Sequence, residues 1–382
     1  MPARTVAPRS VFPAYVFARK ARDRGDAIGT DKMTGSMQLY TFDPTQDPRW
    51  EDLVASHPMA SVFHRRGWLE ALARTYGYRP LALTTTPPGE PLTGGIAFCE
   101  VRSWITGSRL VSLPFADHCE PLIGDEDLSS FAEWMAEQKR LRHDWKYIEL
   151  RPLSARWAAA CPPSPGRSFW FHTLDLTPPE AVLFRNLHKN SIQRRIRRAE
   201  REPLSYERGC TSRLLDDFYF LLMKTRRRHR LLPQPKTWFQ NLIASMSPSV
   251  ELRVARLREV PVAAIFTLTH RRTVVYKYGC SDERFHPLGA MPFLFWKLIV
   301  ECRAQGAEVL DFGRTDDANQ GLVRFKDQFG TVRQRIAYSR CPESPALEHT
   351  SVLQSPLARS LFSVLPGALS SRAGGLLYRH VG

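Results

Sequence analysis

Along this chain, apolar residues recur first with the spacing of strands and then with that of helices, and the alternation runs through twice. Leu39 to Phe42 reads as a strand. Asp47-Pro48 opens a helix, with Asp as cap and Pro in the first turn, that runs to about Ser56. A second helix follows over Gly67 to Tyr76. Strands are expected at Pro80–Thr86, Gly94–Val101 and Arg109–Leu113, then a helix near Asp127–Leu141 and a strand at Tyr147–Arg151. Cys161-Pro-Pro-Ser-Pro-Gly166 reads as a linker. Beyond it come a strand (Phe169–Asp175), helices (Pro178–Asn186, Asn190–Glu202, Ser212–Arg228, Lys236–Met246) and three strands (Val250–Arg256, Val262–Thr269, Thr273–Cys280). Gly289–Gln305 is apolar on nearly every face and is expected to be a buried helix. Strands at Val309 and Val332–Tyr338 close the pattern. The shared rhythm of strand, helices, antiparallel strands, helix and strand implies an α/β (α+β) chain built by duplication, with halves at residues 37–160 and 167–340.

A chain of 382 residues is long for one domain, and 43% hydrophobic content supports packed cores. No apolar run approaches the ~18 residues that span a bilayer. The patch Val11–Ala18 is broken by Pro13 and does not make a signal peptide; residues 1–36 read as a disordered basic extension, with Met33 or Met37 as the expected natural start. Seven cysteines without a CxxC argue against a zinc ribbon or disulfide scaffold and for a reducing, cytoplasmic setting. Residues 341–382 form an amphipathic basic tail, suited either to a membrane surface or to docking on the domains.

The net charge of +16 changes the picture, because more than half of it lies in residues 185–230, where 14 Lys/Arg face 5 Asp/Glu. One cluster holds His188, Lys189, Arg194, Arg195, Arg197, Arg198 and Arg201, projecting from a helix whose buried stripe is Ile192, Ile196 and Ala199. The other holds Lys224, Arg226, Arg227, Arg228, His229 and Arg230 at a helix end, where cations suit the dipole. Either face is simply solvated, or the crowding marks an anion site, with phosphate favoured for bidentate arginine.

Candidate chemistry concentrates in Val309–Gly330: a short strand, a polar loop opened by Gly313, and a short helix stopped by Gly330. Asp311, Arg314, Asp316, Asp317, Asn319 and Lys326 crowd there, either as a site or as a solvated loop with local ion pairs. Asp117-His118-Cys119-Glu120 lies at a strand end and reads as substrate-lining or structural, with a Cys119 nucleophile or a metal site as lesser readings; adjacent side chains point in different directions, so all four cannot easily ligate one ion and no metal is expected. Tyr276 and Tyr278 are expected on one face of a strand with Lys277 opposite, as core residues or with one as a catalytic acid. There is no GxxxxGK[ST], GxGxxG, HExxH or GxSxG, which removes P-loop, dinucleotide-binding, zinc-protease and serine-hydrolase readings.

Taken together, Asp311-Phe-Gly-Arg-Thr315, Asn319-Gln-Gly-Leu322, Arg324-Phe-Lys326, Phe329-Gly330, Leu113-Pro-Phe-Ala-Asp-His-Cys-Glu-Pro121 and Arg227-Arg-His-Arg-Leu-Leu-Pro233 resemble the Fem-type, BioF-like acetyltransferase branch of the GNAT superfamily over residues 38–340. The resemblance implies two tandem GNAT-like (acyl-CoA N-acyltransferase) domains with mixed, largely antiparallel sheets flanked by helices, the second catalytic. It implies acyl transfer to an amine, with acyl-CoA or aminoacyl-tRNA as co-substrate and no bound cofactor. Lys326 and Phe325 would lie at the reacting carbonyl, Arg314 would orient a substrate anion, and Asp311 or Asp117 would help deprotonate the amine. Asn319, His118, Tyr278, Arg228 and His229 would line the substrate, with Lys189, Arg194, Arg195 and Arg198 on its phosphates. The pyrophosphate loop of acetyl-CoA members is matched only by His286-Pro-Leu-Gly289-Ala-Met291, which differs at its first and last positions, and the helices from Lys189 lack the heptads of tRNA-dependent members. Both donors therefore stay open. The expected acceptor is an amine of a cell-envelope or exopolysaccharide precursor, reached from the cytoplasm or peripherally on the inner membrane. The alternative is a non-catalytic protein whose 185–230 region binds RNA or anionic lipid.

Overall fold

A computed structural model describes residues 38–125, 128–141, 144–158, 161, 163–341 and 367–382. The expected extension at 1–36, and the tail between 342 and 366, lie outside the described residues. Twelve strands form one mixed sheet: β1 (Tyr40–Phe42), β2 (Arg79–Thr84), β3 (Ile96–Val101), β4 (Ser108–Val111), β5 (Trp145–Leu150), β6 (Pro163–Asp175), β7 (Leu204–Gly209), β8 (Val250–Leu257), β9 (Val260–His270), β10 (Thr273–Ser281), β11 (Val309–Asp316) and β12 (Val332–Cys341). Their order is β1-β2-β3-β4-β5-β12-β6-β11-β10-β9-β8-β7.

Among the described residues two neighbouring pairs are parallel, β4–β5 and β10–β11. A parallel neighbour needs a long crossover, and each pair has a helix for it: α3 (Leu128–Leu141) and α8 (Ala290–Ala304). The repeated logic is that of two GNAT-like units. Their last strands are exchanged: β6 follows β5 in sequence but pairs with β11, while β12 follows β11 but pairs with β5, and the two pair with each other. At this seam buried Glu149 accepts hydrogen bonds from Arg151 (2.8 Å) and Arg340 (2.7 Å), with Arg167 at 3.4 Å.

Helices α1 (Pro48–Ser56), α2 (Arg66–Tyr76), α6 (Ser212–Arg228) and α7 (Lys236–Met246) cover one face, and their core is common to both halves: Trp68 meets Trp238 edge-to-face at 5.2 Å. On the other face of the second half lie α4 (Glu180–Asn186), α5 (Arg194–Ala199), α8 and α9 (Gln320–Asp327). Ile192, Ile196 and Ala199 are buried, as their spacing predicts, although a π-helical turn at Lys189–Gln193 precedes α5. α8 is buried nearly all round. A final helix, α10 (Gly367–Tyr378), docks on both halves: Tyr78 Oη donates to Tyr378 O (2.8 Å) and Tyr378 Oη to Leu232 O (3.1 Å).

Four local expectations change. The proline-rich stretch before Phe169 begins the long β6, where Pro163 lies opposite Ser339, next to a register shift in β12. β7, unmarked by alternation, is an edge strand on β8. Gly313 does not end its strand; at φ 70° it makes a bulge, and β11 continues to Asp316 because β6 pairs with it that far. Tyr276 and Tyr278 face opposite sides of the sheet. A bulge between them puts Lys277 and Tyr278 on one face, while Tyr276 packs on Phe295 at 4.7 Å.

Candidate active site

β10 and β11 pair only over Thr273–Val275 and Val309–Asp311, and each then bulges. The bulges aim side chains into the gap where the two strands separate. Lys277 Nζ lies 2.6 Å from Asp117 Oδ2 and within 5.2–6.0 Å of the ring centres of Phe63, Tyr278 and Trp68. Asp117 comes from the other half, on a loop after β4 in which Leu113 (φ 52°) and Phe115 (φ 62°) hold left-handed backbone. Such conformations are costly for side-chain-bearing residues and persist where the surroundings enforce them. A Cβ on Gly313 would sit 3.2 Å from Asp117 Oδ2 in a left-handed position, so glycine is required there. Arg314 stacks on Phe169 (4.2 Å) and Tyr338 (5.2 Å), with its Nε 3.9 Å from Asp117 Oδ1, and Tyr338 Oη donates to Asp117 O (2.7 Å). Burial alone would raise the Asp117 pKa, but Lys277 and Arg314 outweigh it and hold the carboxyl below its usual range.

His118 Nε2 lies 3.2 Å from Asp311 Oδ2, and the imidazole is wedged edge-on between Phe63 (5.4 Å) and Phe171 (5.2 Å). The other Asp311 oxygen accepts the Gly313 N–H at 2.5 Å. Four neighbouring side chains thus diverge: Asp117 to Lys277, His118 to Asp311, Cys119 to His64 and Glu120 to Ser154.

Asn319 caps α9 by accepting the Leu322 N–H (3.1 Å), so its side chain is spent on the helix start. Phe325 packs on Phe295 (5.7 Å) and Phe329 (5.2 Å), which turns Lys326 inward. Only 2% exposed, Lys326 donates from Nζ to the carbonyls of Gly313 (2.9 Å) and Arg314 (3.1 Å). Burial lowers its pKa from 10.5 to about 8, with Asp117 and Asp311 opposing the fall. His172, also buried, has its Nε2 3.4 Å from Asp327 Oδ1; burial and then Lys326 push its pKa down to about 4, so it is neutral at pH 7.

The remaining cations gather elsewhere. Arg194, Arg195, Arg197, Arg198, Arg201 and His286 line an open cavity of about 920 Å³. Gly289 caps α8 at φ 78°, and a Cβ there would meet the Arg195 carbonyl oxygen at 2.4 Å, so α5 and the start of α8 lie in close contact. Guanidinium groups gathered in one open cavity are chemically suited to an anion. Arg228 Nη1 lies 3.3 Å from His286 Nε2 and its Nη2 3.3 Å from His229 Nε2, which joins these two to the cavity side. Lys189 is exposed on the π turn next to Asn190.

The fold therefore brings Asp117, His118, Asp311, Arg314 and Lys326 together, with Phe325 behind them. It places Arg194, Arg195, Arg198, Arg228, His229 and Lys189 around a second feature, and Tyr278 in the aromatic core, where it accepts from Trp238 Nε1 at 2.9 Å. Lys277, Phe169 and Tyr338 join the site without having been singled out. The one available signal was a lysine between two tyrosines in a strand otherwise apolar at its start.

Residues 186–327 match the acetyltransferase (GNAT) domain family, a segment that contains the arginine cavity, Lys277, Asp311, Arg314 and Lys326. The matched segment lies within the second half. No curated protein matches the chain. Among solved structures, FemX is similar at 13% identity and TM-score 0.63, covering 80% of this chain and 97% of that one. The C-terminal domain of a putative lysylphosphatidylglycerol synthetase from Agrobacterium fabrum is similar at 14% identity and TM-score 0.51, covering 84% and 94%. A tandem GNAT protein from the clavulanic acid biosynthesis pathway is similar at 10% identity and TM-score 0.51, covering 81% and 100%. These likenesses to solved structures show a shared fold. No helix among the described residues is long and apolar enough to cross a membrane.

Proposed function

We propose that this GNAT protein transfers an acyl or aminoacyl group from acyl-CoA or aminoacyl-tRNA to an amine of a cell-envelope or exopolysaccharide precursor, from the cytoplasm or the inner face of the membrane. The observation that carries this reading is the buried Lys326 ammonium, fixed on two backbone carbonyls where β10 and β11 part. Two of its N–H groups are committed, and the third is available to an oxyanion. The acceptor amine attacks the donor carbonyl, a C–N bond forms, and negative charge develops on the carbonyl oxygen. A preorganised cation in a dry site stabilises that charge far more than water does. His118, oriented by Asp311, takes the amine proton, and the thiol or hydroxyl leaving group departs as the C–S or C–O bond breaks. Asp117, kept ionised by Lys277 and Arg314, holds the amine in place. The arginine cavity takes the phosphates of the donor.

Two results are expected. The ammonium form of Lys326 is the active one, so kcat/KM falls about tenfold per pH unit above about 8; Lys326→Arg, which stays charged, removes that limb. Arg194→Ala/Arg195→Ala/Arg198→Ala raises donor KM by about tenfold or more and flattens its salt dependence, with kcat little changed. Mass spectrometry of products from acyl-CoAs and charged tRNAs, offered in parallel, identifies the donor; no transfer from either class defeats the enzymatic reading. The open, arginine-lined cavity favours as a second reading a non-catalytic protein that binds RNA or anionic lipid. It predicts binding that depends on these arginines and is unchanged in Lys326→Ala.

A further inference from the structure

We propose that the β3–β4 hairpin tip and helix α10 form a docking surface for an anionic lipid bilayer. This does not rest on the transfer reading. Trp104 is 88% exposed, Ile105 38% and Leu376 65%. Trp104 and Ile105 share the hairpin tip, and the Trp104 ring meets His380, two residues past the end of α10, edge-on at 5.6 Å.

The tip is braced rather than slack. Ser103 Oγ accepts the N–H groups of Ile105 (3.2 Å) and Thr106 (2.8 Å), and Thr106 Oγ1 donates to His380 O (2.7 Å). The buried Arg109 guanidinium binds Thr106 Oγ1 and the carbonyls of Gly107, His380 and Gly382. Every polar group named here is satisfied inward, and the two large apolar side chains at the tip point outward on a rigid mount. Little conformational freedom is left to lose on docking.

Size and charge select the occupant. Three side chains of this kind offer a few hundred Å², well below the ~800 Å² per partner of a stable protein interface, so a second copy or a globular partner is poorly served. A bilayer needs no matching partner surface; the amphipathic indole sits at the headgroup level while aliphatic tips enter the acyl boundary. Among the described residues, exposed Arg102, Lys146 and Arg379 lie near the tip, with Lys146 packed along Gly107, against exposed Asp144 and against Glu100, which pairs with Arg102 at 3.0 Å. That local excess of cations complements anionic headgroups.

The test is co-sedimentation of the full chain with vesicles of phosphatidylcholine alone or with added phosphatidylglycerol, at physiological salt. The wild type is expected to pellet with the anionic vesicles only. Trp104→Ser/Ile105→Ser loses binding by about tenfold or more with an unchanged thermal melt, whereas Arg194→Ala/Arg195→Ala/Arg198→Ala retains it. The proposal is overturned if the wild type ignores anionic vesicles, if the tip variant binds as well as the wild type, or if only the arginine variant loses binding. It is equally overturned if sedimentation velocity shows a dimer that the tip variant dissolves while lipid binding is absent.

Discussion

Lys326→Ala lowers kcat by about 10²–10³-fold, the loss found when one preorganised donor to an oxyanion is removed, equivalent to about 2.7–4 kcal/mol. Donor KM changes little, because the cavity proposed to take the phosphates is built from α5, the residues that flank it and the turn that holds His286 and Pro287, not from α9. A purely structural lysine would behave differently. Its removal would leave the Gly313 and Arg314 carbonyls without their ammonium and would show first in stability. Thermal melts of the variant therefore accompany single-turnover rates. Transfer at the wild-type rate would sink the role given to Lys326, and a large loss of melting temperature with a proportional loss of donor binding would make it a structural residue. Lys326→Met separates the two further: it keeps the side-chain volume and loses the charge, so the transfer rate should match that of the alanine variant.

Glu149→Ala destabilises the chain by about 3–5 kcal/mol, the cost of breaking a buried ion pair from one side. Glu149 is 1% exposed and serves three guanidinium groups, of Arg151 just past β5, Arg340 on β12 and Arg167 on β6. Its removal leaves like charges facing one another inside the strand exchange that ties the halves. Burial alone would raise the Glu149 pKa, but the three arginines push it down to about 2 from 4.5. The folded state thus holds this proton less tightly than the unfolded state. The stabilisation is full above about pH 4.5 and is lost as pH falls toward 2. Denaturation midpoints measured across that range should drop for the wild type and stay flatter for Glu149→Gln. The seam also reaches the site, since Tyr338 on β12 donates to the Asp117 carbonyl and Arg151 stacks on Tyr338 at 5.4 Å. Activity should therefore decline before global unfolding does, read by assaying transfer and circular dichroism on the same acid series.

Much of the architecture is legible without coordinates because it is local. Asp47 and Pro48 specify a helix start, and Asn319 and Gly330 bracket α9. The spacing of Ile192, Ile196 and Ala199 specifies a buried stripe, and the all-apolar Gly289–Gln305 segment specifies a buried helix. Each depends on residues within one or two turns, where period and capping chemistry carry the information. The same holds for the grouping of Asp311, Arg314 and Lys326, which one strand, one loop and one short helix keep together. Tertiary structure alone decided the rest. His118 meets Asp311 across 193 residues, and Asp117 meets Lys277 across 160. The bulges that send Tyr276 and Tyr278 to opposite faces, and that carry β11 through Gly313, arise from hydrogen bonding to partner strands. The exchange of β6 and β12, which turns two units into one sheet and makes a strand of a proline-rich stretch, is likewise set by which distant edge each strand can pair with. Backbone pairing over such separations leaves no period in the sequence, because any strand of suitable alternation can satisfy it; only burial of the common core around Trp68 and Trp238 selects among the pairings.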